Sequence, residues 1–164
     1  MIGRVKTMSN VVYVSKSRIE RREGPLRIAH LPGESKPVIY SVHGAIAEHY
    51  KIDPAKLQES HSSTIDYVVS ATAGCMMGTF GGALEARQID ACNGKLTAEV
   101  TGEVETEDGV LVIRRIHVAM RLVAPESVRE TVERTHGVYA MRCPLYRTLH
   151  RAIQLSSSFE LAAS

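Results

Sequence analysis

The clearest pattern in the sequence is an alternation of apolar and polar residues just after the middle of the chain. The apolar positions of this alternation are Leu96, Ala98, Val100 and Val104. Because successive side chains of a strand point to opposite faces of a sheet, residues 95–107 are predicted to form a half-buried strand. Asp108-Gly109 is a typical hairpin turn, and apolar alternation resumes after it, so residues 110–123 are predicted to form the return strand.

A second pattern is a long apolar stretch ahead of this hairpin. Residues 64–87 contain no Pro, and no charged residue lies between Tyr67 and Leu84. A helix that is apolar on nearly all sides is expected to be buried. The glycines that interrupt it are Gly74, Gly78, Gly81 and Gly82. Each lowers helix propensity by roughly 1 kcal/mol against Ala, so we expect them to permit close packing against a neighbouring helix or subunit.

The N-terminal third alternates short apolar runs with turn residues. Short strands are predicted at residues 11–15, 26–31 and 36–42. Glu23-Gly24-Pro25 supplies a turn between the first two. Residues 44–50 are predicted to form a short helix, and the polar residues 51–62 a connection.

The C-terminal third returns to helical spacing. A helix is predicted over residues 126–142, and Gly137 is expected to end it early. Pro suits a first helical turn, so a second helix is predicted over residues 144–153, followed by a closing strand over 154–161. The order of these elements predicts an α+β fold with helices grouped against antiparallel sheet, in a single domain over residues 1–164.

Composition narrows the possible functions. The net charge of +2 is too small for a nucleic-acid-binding protein, and the six Tyr, two Phe and no Trp provide no base-stacking surface. No run of about 18 apolar residues is present, so no membrane-spanning segment is predicted. The first ten residues lack the apolar core of a signal peptide, which favours the cytoplasm.

The three cysteines are the main candidates for chemistry. Cys75, Cys92 and Cys143 are an odd number at wide spacing, which argues against a secreted disulfide framework. In a reducing compartment each is either a buried structural residue or a reactive thiol. The seven His form no metal-ligand pattern, and the chain has no phosphate-binding motif, so neither a metal nor a cofactor is predicted.

The three cysteines differ in how well their neighbours in the sequence would stabilise a thiolate. Cys143 directly precedes a Pro-initiated helix, where free backbone N–H groups and the neighbouring Arg142 and Arg147 would stabilise a thiolate. Cys75 lies among small residues that leave room for a substrate, although this stretch alone favours a buried Cys that acts as a small hydrophobe. Cys92 follows the long helix in a predicted turn, and nothing near it in sequence activates it.

Asp66 lies at the start of the long helix and has two interpretations. Ser63-Thr64-Ile65-Asp66 fits a capping box, in which the carboxylate closes the helix start. Asp66 is nine residues before Cys75, which places the two on opposite faces of a straight helix. A catalytic Asp66 therefore requires a bent helix or a second subunit, and the pattern favours the cap.

Two segments together resemble the osmotically inducible protein C and organic hydroperoxide resistance (OsmC/Ohr) superfamily. One is the run from Asp66 to Cys75, with an acidic residue upstream of a Cys in a long apolar helix; the other is Cys143-Pro144, after the hairpin. The resemblance covers roughly residues 18–161. The chain departs from the pattern in having Asp rather than Glu upstream, one position later, and in residues 42–50, which have no counterpart.

The resemblance implies antiparallel sheets packed around long central helices in an intertwined homodimer. It implies a cytoplasmic, antioxidant thiol peroxidase of the stress response, in which Cys75 attacks an organic hydroperoxide and Cys143 forms a disulfide with it. A dithiol such as dihydrolipoamide, or a small thiol, would restore both thiols. An arginine from the N-terminal strands would hold the thiolate; Arg22 is the nearest match and Arg27 the rival. Asp66 matches the family's acidic residue.

Two other functions fit the same elements. The first is a non-enzymatic dimer that holds a small apolar ligand near Cys75. The second is an acyl-thioester hydrolase of the hotdog type, whose carboxylate would be Asp66; fold analogy alone supports it.

Overall fold

The computed structural model describes residues 10–57 and 60–163. Contacts within the chain divide it into two compact units, with the division between Ser63 and Thr64. The single domain over residues 1–164 therefore stays a prediction, and each unit is described by itself.

The N-terminal unit contains a three-stranded antiparallel sheet in the order β1-β2-β3. Its strands are β1 (Arg18–Arg21), β2 (Arg27–His30) and β3 (Val38–Tyr40), and helix α1 (Gly44–His49) follows. The predicted turn joins β1 to β2, with Gly24 in the left-handed region at φ +59°. The second strand and the short helix are confirmed, and the third strand is shorter than predicted. The predicted connection contains a 3₁₀ turn, Pro54–Lys56.

The predicted first strand at residues 11–15 is wrong. Residues 10–17 form no regular element, and the sheet begins at Arg18 instead. Val12 is 91% exposed and Tyr13 72% exposed. Apolar β-branched residues favour a strand only where a neighbouring strand and a packed face are available, and no described strand pairs with this segment.

The C-terminal unit packs one long helix against a second three-stranded sheet. Helix α2 (Thr64–Glu85) lies against strands β4 (Leu96–Glu107) and β5 (Val110–Val123), with β6 (Gln154–Ala162) beside β5. The β4–β5 hairpin is confirmed, and its turn has positive φ at both central residues, Asp108 at 49° and Gly109 at 81°. Such a turn matches the twist of the strands that it joins.

The sheet is mixed rather than wholly antiparallel, because β6 pairs parallel with β5. A parallel neighbour needs a long connection, since the chain must return to the end of the sheet at which the first strand began. Helices α3 (Arg129–Tyr139) and α4 (Pro144–Leu149) provide that connection. They also bring Cys143, which precedes α4, back to α2.

The helix pair differs from its predicted bounds in two respects. The predicted helix 126–142 consists of α3 with a 3₁₀ turn on either side, Glu126–Val128 and Ala140–Arg142. Gly137 lies inside α3, so the prediction that it ends the helix is wrong. A Cβ there would meet nothing within 4 Å, so this glycine costs helix propensity and serves no close approach. The second helix ends at Leu149, earlier than predicted.

The core of this unit lies between α2, the sheet and α3. The fully buried side chains that define it are Met76, Phe80, Leu84, Ile116, Val118, Leu122, Val132 and Tyr139. Cys143 is part of the same cluster, and Cys75 packs against it. The hydrophobic packing therefore brings the two cysteines to the same place.

Helix α2 is less buried than its composition predicts. Six of its 22 residues are buried, while Tyr67 and Val68 are exposed, so the expectation of burial on nearly all sides is wrong for the single chain. Among the described residues, α2 is the one helix long and apolar enough to span a membrane by length and composition, a test that core helices of other proteins also pass.

The helix glycines divide into two groups. A Cβ on Gly81 would lie 3.3 Å from Leu96 Cδ2, so this glycine packs closely against strand β4 rather than against the predicted neighbouring helix or subunit. Gly74, Gly78 and Gly82 would meet nothing within 4 Å in the described structure. Their side of α2 is therefore an apolar surface of small residues.

The tightest glycine position is on β4. A Cβ on Gly102 would lie 2.5 Å from Val69 Cγ2 on α2, and Val is stiff at χ1. We expect Gly102→Ala to lower the free energy of unfolding by about 1–3 kcal/mol through overpacking. Urea denaturation checks the value.

The same measurement includes its controls. Gly137→Ala meets open space and is expected to be neutral or stabilising by up to about 1 kcal/mol. Val69→Ala combined with Gly102→Ala removes the clash, so the double variant should be more stable than the sum of the single effects. Strict additivity of the two changes would contradict the proposed contact.

Candidate active site

The two cysteines of the C-terminal unit meet despite their separation in sequence. The Cys143 and Cys75 Sγ atoms are 3.3 Å apart, and both thiols are free. A disulfide bond measures about 2.05 Å, so the two sulfurs need to approach by roughly one ångström to form one. The pair can therefore pass between dithiol and disulfide with little rearrangement.

The start of α4 holds Cys143 in position. Cys143 is the N-cap residue in an extended conformation, and Pro144 opens the helix behind it. Its Sγ accepts a hydrogen bond from the Tyr146 N–H at 3.5 Å. This is the arrangement that the Cys-Pro sequence predicts, since the first N–H groups of a helix have no partner within it.

The same helix start also reaches Cys75. Burial raises the pKa of the Cys75 thiol above its usual range, and the backbone N–H of Leu145 acts on the same sulfur in the opposite direction. The neighbouring Cys143 reinforces the effect of burial on this pKa. The groups of the described structure that act on this pKa include no cation, so Cys75 is positioned but not activated by its own unit.

The two sulfurs differ in accessibility. Cys143 is fully buried, with 0% of its surface exposed, whereas Cys75 is partly exposed. A peroxide or an incoming thiol therefore reaches Cys75 first.

A polar network that the sequence did not indicate lies between α3 and β6. The Tyr139 hydroxyl donates to Ser157 Oγ at 2.7 Å, and Ser157 Oγ lies 3.1 Å from His136 Nε2. Burial raises the pKa of Tyr139, and the hydrogen bond to Ser157 opposes that effect. The only available sequence signal was the spacing of His136 and Tyr139, three residues apart on one helix face.

The two candidate arginines lie in the N-terminal unit. Arg22 follows β1 and forms an exposed ion pair with Glu20 at 2.9 Å. Arg27 lies on β2, and its Nη2 donates to the Ser41 carbonyl at 3.3 Å. The Arg27 Nε is buried without a hydrogen-bond partner among the described residues.

Asp66 lies in the first turn of α2, as the capping interpretation expects. The helix is continuous from Asp66 to Cys75, so nine residues place the two on opposite faces, about 13.5 Å apart along the axis. The structure therefore does not bring Asp66 to the thiol pair within one α2 helix.

The part of the chain that carries the thiol pair matches a known protein family. Residues 57–158, from before α2 into β6, match the family model described as "OsmC-like protein". The chain belongs to the OsmC-like protein family. A search of the curated proteins gives no match.

Solved structures of OsmC-like proteins share the fold. An OsmC-like protein from Mycoplasma pneumoniae superposes with a TM-score of 0.64 at 18% identity, covering 93% of this chain and 99% of that one. An OsmC-like protein of unknown function from Vibrio cholerae gives 0.71 at 10% identity, covering 90% and 99%. The organic hydroperoxide resistance protein OhrB of Bacillus subtilis gives 0.59 at 13% identity, covering 93% and 100%. The family model confirms the predicted membership of the OsmC/Ohr superfamily. The solved structures, at these low identities, show a shared fold only.

The third cysteine of this OsmC-like chain has a different environment. Cys92 is exposed, and its Sγ lies 2.6 Å from Glu85 Oε1. The Glu85 carboxylate raises the pKa of the Cys92 thiol. This opposes thiolate formation, as the sequence predicts for this position.

Burial of His136 predicts a loss of stability in acid. Burial lowers the pKa of His136 below its ordinary value, and Phe80, Tyr139 and Phe159 surround the ring. As the pH decreases, the unfolded chain therefore binds this proton at a higher pH than the folded chain does. The free energy of unfolding is consequently highest above about pH 6.5 and decreases as the pH falls through that value. One proton changes stability by at most about 1.4 kcal/mol per pH unit.

Urea denaturation across this pH range checks the prediction. We expect His136→Gln to flatten the decline in acid, because Gln can keep a hydrogen bond to Ser157 without binding a proton. His117→Gln, on the exposed side of β5, is the matched control and should keep the wild-type slope. Equal slopes in His136→Gln and the wild type would contradict the prediction.

Proposed function

We propose that the protein is a thiol-dependent peroxidase that reduces organic hydroperoxides through Cys75 and Cys143. The observation that carries the proposal is the 3.3 Å separation of the two Sγ atoms, in a chain of the OsmC-like family. Two structural or packing cysteines have no need to share one helix start. Some structural neighbours are named organic hydroperoxide resistance proteins, which supports the same chemistry.

The proposed oxidation begins at Cys75, since it is the partly exposed sulfur. Its thiolate attacks the outer peroxide oxygen, the O–O bond breaks, and the organic part leaves as an alcohol after taking a proton. The product at Cys75 is a sulfenic acid. Cys143 then attacks this sulfur, and a disulfide forms with release of water. A dithiol or a small thiol returns both residues to thiols by exchange.

Activation of Cys75 requires a charge from outside its own unit, because burial raises its pKa and no cation there lowers it. We propose Arg22 for this role. Its described ion pair with Glu20 is exposed, so its guanidinium can change partners at little cost. The rival is Arg27, whose Nη2 donates to the Ser41 carbonyl while its buried Nε has no hydrogen-bond partner among the described residues.

The proposed assembly is a homodimer in the cytoplasm. The small-residue side of α2, with Gly74, Gly78 and Gly82, is open in the single chain and suits close approach of a second helix. The exposed apolar segment at residues 11–14 offers further surface for a second copy. In such a dimer Asp66 would act on the partner's site or cap its own helix.

The first test is oxidation of the reduced protein with one equivalent of cumene hydroperoxide. We expect a loss of about two mass units, as disulfide formation requires, and the loss of two free thiols. Tryptic mapping should place the cross-link between Cys75 and Cys143, with Cys92 still free. Unchanged mass and thiol counts would overturn the proposal.

A non-enzymatic ligand-binding protein is the second candidate, and the cavity that supports it lies in the N-terminal unit rather than near Cys75, where the ligand was predicted. The N-terminal unit contains a cavity of about 420 Å³, lined partly by Leu26, Leu57 and Lys56. A small amphipathic molecule fits such a lining. Native mass spectrometry showing a retained ligand, together with thiols inert to peroxide, would favour it. The thioester hydrolase has less support, since only fold analogy favours it.

A further inference from the structure

The cavity of the N-terminal unit is lined from two sides of the chain. Residues 23–26, in the turn between β1 and β2, form one side, and residues 56–57, in the connection after α1, form the other. Its volume of about 420 Å³ lies within the range of cavities that hold small molecules. We call it the N-terminal cavity. None of the residues that line it is a cysteine, so the proposed thiol chemistry leaves it without a role.

The lining of the N-terminal cavity combines an apolar surface with two charged residues. Pro25, Leu26 and Leu57 are partly buried, whereas Glu23 and Lys56 are exposed. The apolar part of a ligand would therefore lie among the three apolar residues. Its polar groups would lie at the exposed carboxylate and ammonium groups, which fix the orientation of a ligand in such a cavity.

The two charges of the lining are opposite in sign and are not paired with each other. An ion pair brings nitrogen and oxygen within about 4 Å, and neither Glu23 nor Lys56 forms one with another described residue. Opposite charges that line one cavity without meeting leave room between them for a ligand that carries both. The complementary groups are an ammonium group at Glu23 and a carboxylate at Lys56.

The other polar residues of the lining are Ser41 and His61. Ser41 is 1% exposed, and its carbonyl accepts a hydrogen bond from Arg27 Nη2 at 3.3 Å, which holds this part of the wall against β2. Neither Ser41 nor His61 carries a fixed charge. Glu23 and Lys56 therefore decide which ligand charges the N-terminal cavity favours.

The charges next to the N-terminal cavity reinforce this polarity. A second cavity of about 460 Å³ shares Lys56 with the first and is also lined by Arg21, Lys51 and Asp53. The Asp53 carboxylate already accepts a backbone N–H at 3.0 Å. The two additional cations thus lie on the Lys56 side, whereas Glu23 lines only the first cavity. A ligand with its carboxylate towards Lys56 and its ammonium group towards Glu23 matches this distribution.

We propose that the N-terminal cavity binds small zwitterions with apolar side chains, the class of the apolar dipeptides. Glu23 binds the ammonium group, Lys56 binds the carboxylate, and Pro25, Leu26 and Leu57 contact the side chains. A dipeptide carries its two charges at opposite ends, as the separated charges of the lining require. The inference gives a ligand class to the cavity of the second candidate function. It needs no thiol chemistry, so it goes beyond the proposed peroxidase.

The test is an NMR titration of the isotope-labelled, full-length protein with leucyl-leucine at low ionic strength. We expect saturable shifts of the backbone N–H signals of Gly24, Leu26 and Leu57, and no comparable shift at Cys75 on α2. N-acetyl-leucyl-leucine lacks the ammonium group, and leucyl-leucine amide lacks the carboxylate. Each should bind at least about fivefold more weakly than leucyl-leucine, because it loses one of the two ionic contacts.

Two charge variants connect each end of the ligand to one residue. Glu23→Gln should weaken binding of leucyl-leucine about fivefold and leave N-acetyl-leucyl-leucine unchanged, because that ligand has no ammonium group. Lys56→Gln should weaken binding of leucyl-leucine by a similar factor and leave the amide unchanged. Glu34→Gln and Lys36→Gln change the same charges at exposed sites outside the cavity, so both should bind leucyl-leucine like the wild type.

Three results would overturn the inference. They are equal binding of all three ligands, equal effects of Glu23→Gln on leucyl-leucine and on its N-acetyl form, and no saturable shift with any ligand. Failure of the proposed peroxidase function would appear differently. Cumene hydroperoxide would then leave the reduced thiols unchanged, while the dipeptide still bound. Cys75→Ser should bind leucyl-leucine like the wild type, because Cys75 does not line the cavity.

Discussion

Replacing Cys75 with Ser is expected to lower peroxide turnover by more than about 10³-fold, the scale on which loss of a nucleophile acts in other enzymes. A serine hydroxyl is hardly ionised near neutral pH and is a weak nucleophile towards a peroxide oxygen. The substitution replaces one small polar group with another at a partly exposed position, so stability should change by less than about 1 kcal/mol. Coupled consumption of cumene hydroperoxide with a dithiol measures turnover.

The matched control for this variant is Cys92→Ser. Cys92 is exposed and its pKa is raised by Glu85, so its loss should leave turnover unchanged. The pair of variants separates the effect of one particular thiol from the loss of any thiol. Equal activity of Cys75→Ser and Cys92→Ser would remove the basis for the proposed peroxidase.

Local sequence patterns correctly predicted those elements whose conformation is determined by residues close to one another in the chain. The β4–β5 hairpin follows from strict alternation and from Asp108-Gly109, whose backbone conformation few other residue pairs adopt. The N-cap role of Cys143 follows from Pro144, which suits the first turn of a helix and leaves the thiol beside its free N–H groups. Each of these features is decided within a few residues.

Features that depend on distant residues were not predictable in this way. The contact between Cys75 and Cys143 joins residues 68 positions apart, and only the family resemblance suggested it. The parallel pairing of β6 depends on where α3 and α4 return the chain, which periodicity does not encode. The network from His136 to Ser157 likewise depends on how a helix packs on a strand.

The burial of α2 shows where composition misleads. Its apolar residues predicted burial on nearly all sides, yet only six of 22 are buried in the single chain. A hydrophobic composition indicates that the surface of a helix will be buried, but it does not identify the partner that buries it. We propose that a second copy of the chain buries the exposed part of α2.

Replacing Cys143 with Ser is expected to separate the two oxidation steps. The first step should continue, because Cys75 keeps its thiol and its hydrogen bond from Leu145. The sulfenic acid then has no Cys143 to form a disulfide with, so mass spectrometry should show a gain of about 16 mass units, rising to about 32 with excess peroxide. Turnover with a dithiol should fall by at least about tenfold, since one step of the exchange is lost.

The comparison of the two serine variants decides which sulfur attacks first. If Cys75 attacks, Cys143→Ser accumulates a sulfenic acid that dimedone labels, and Cys75→Ser does not react with peroxide. If Cys143 attacks, as its position at the start of α4 alone would favour, the two results are exchanged. Exposure argues for the first outcome, because the Cys143 sulfur is fully buried whereas Cys75 is partly exposed.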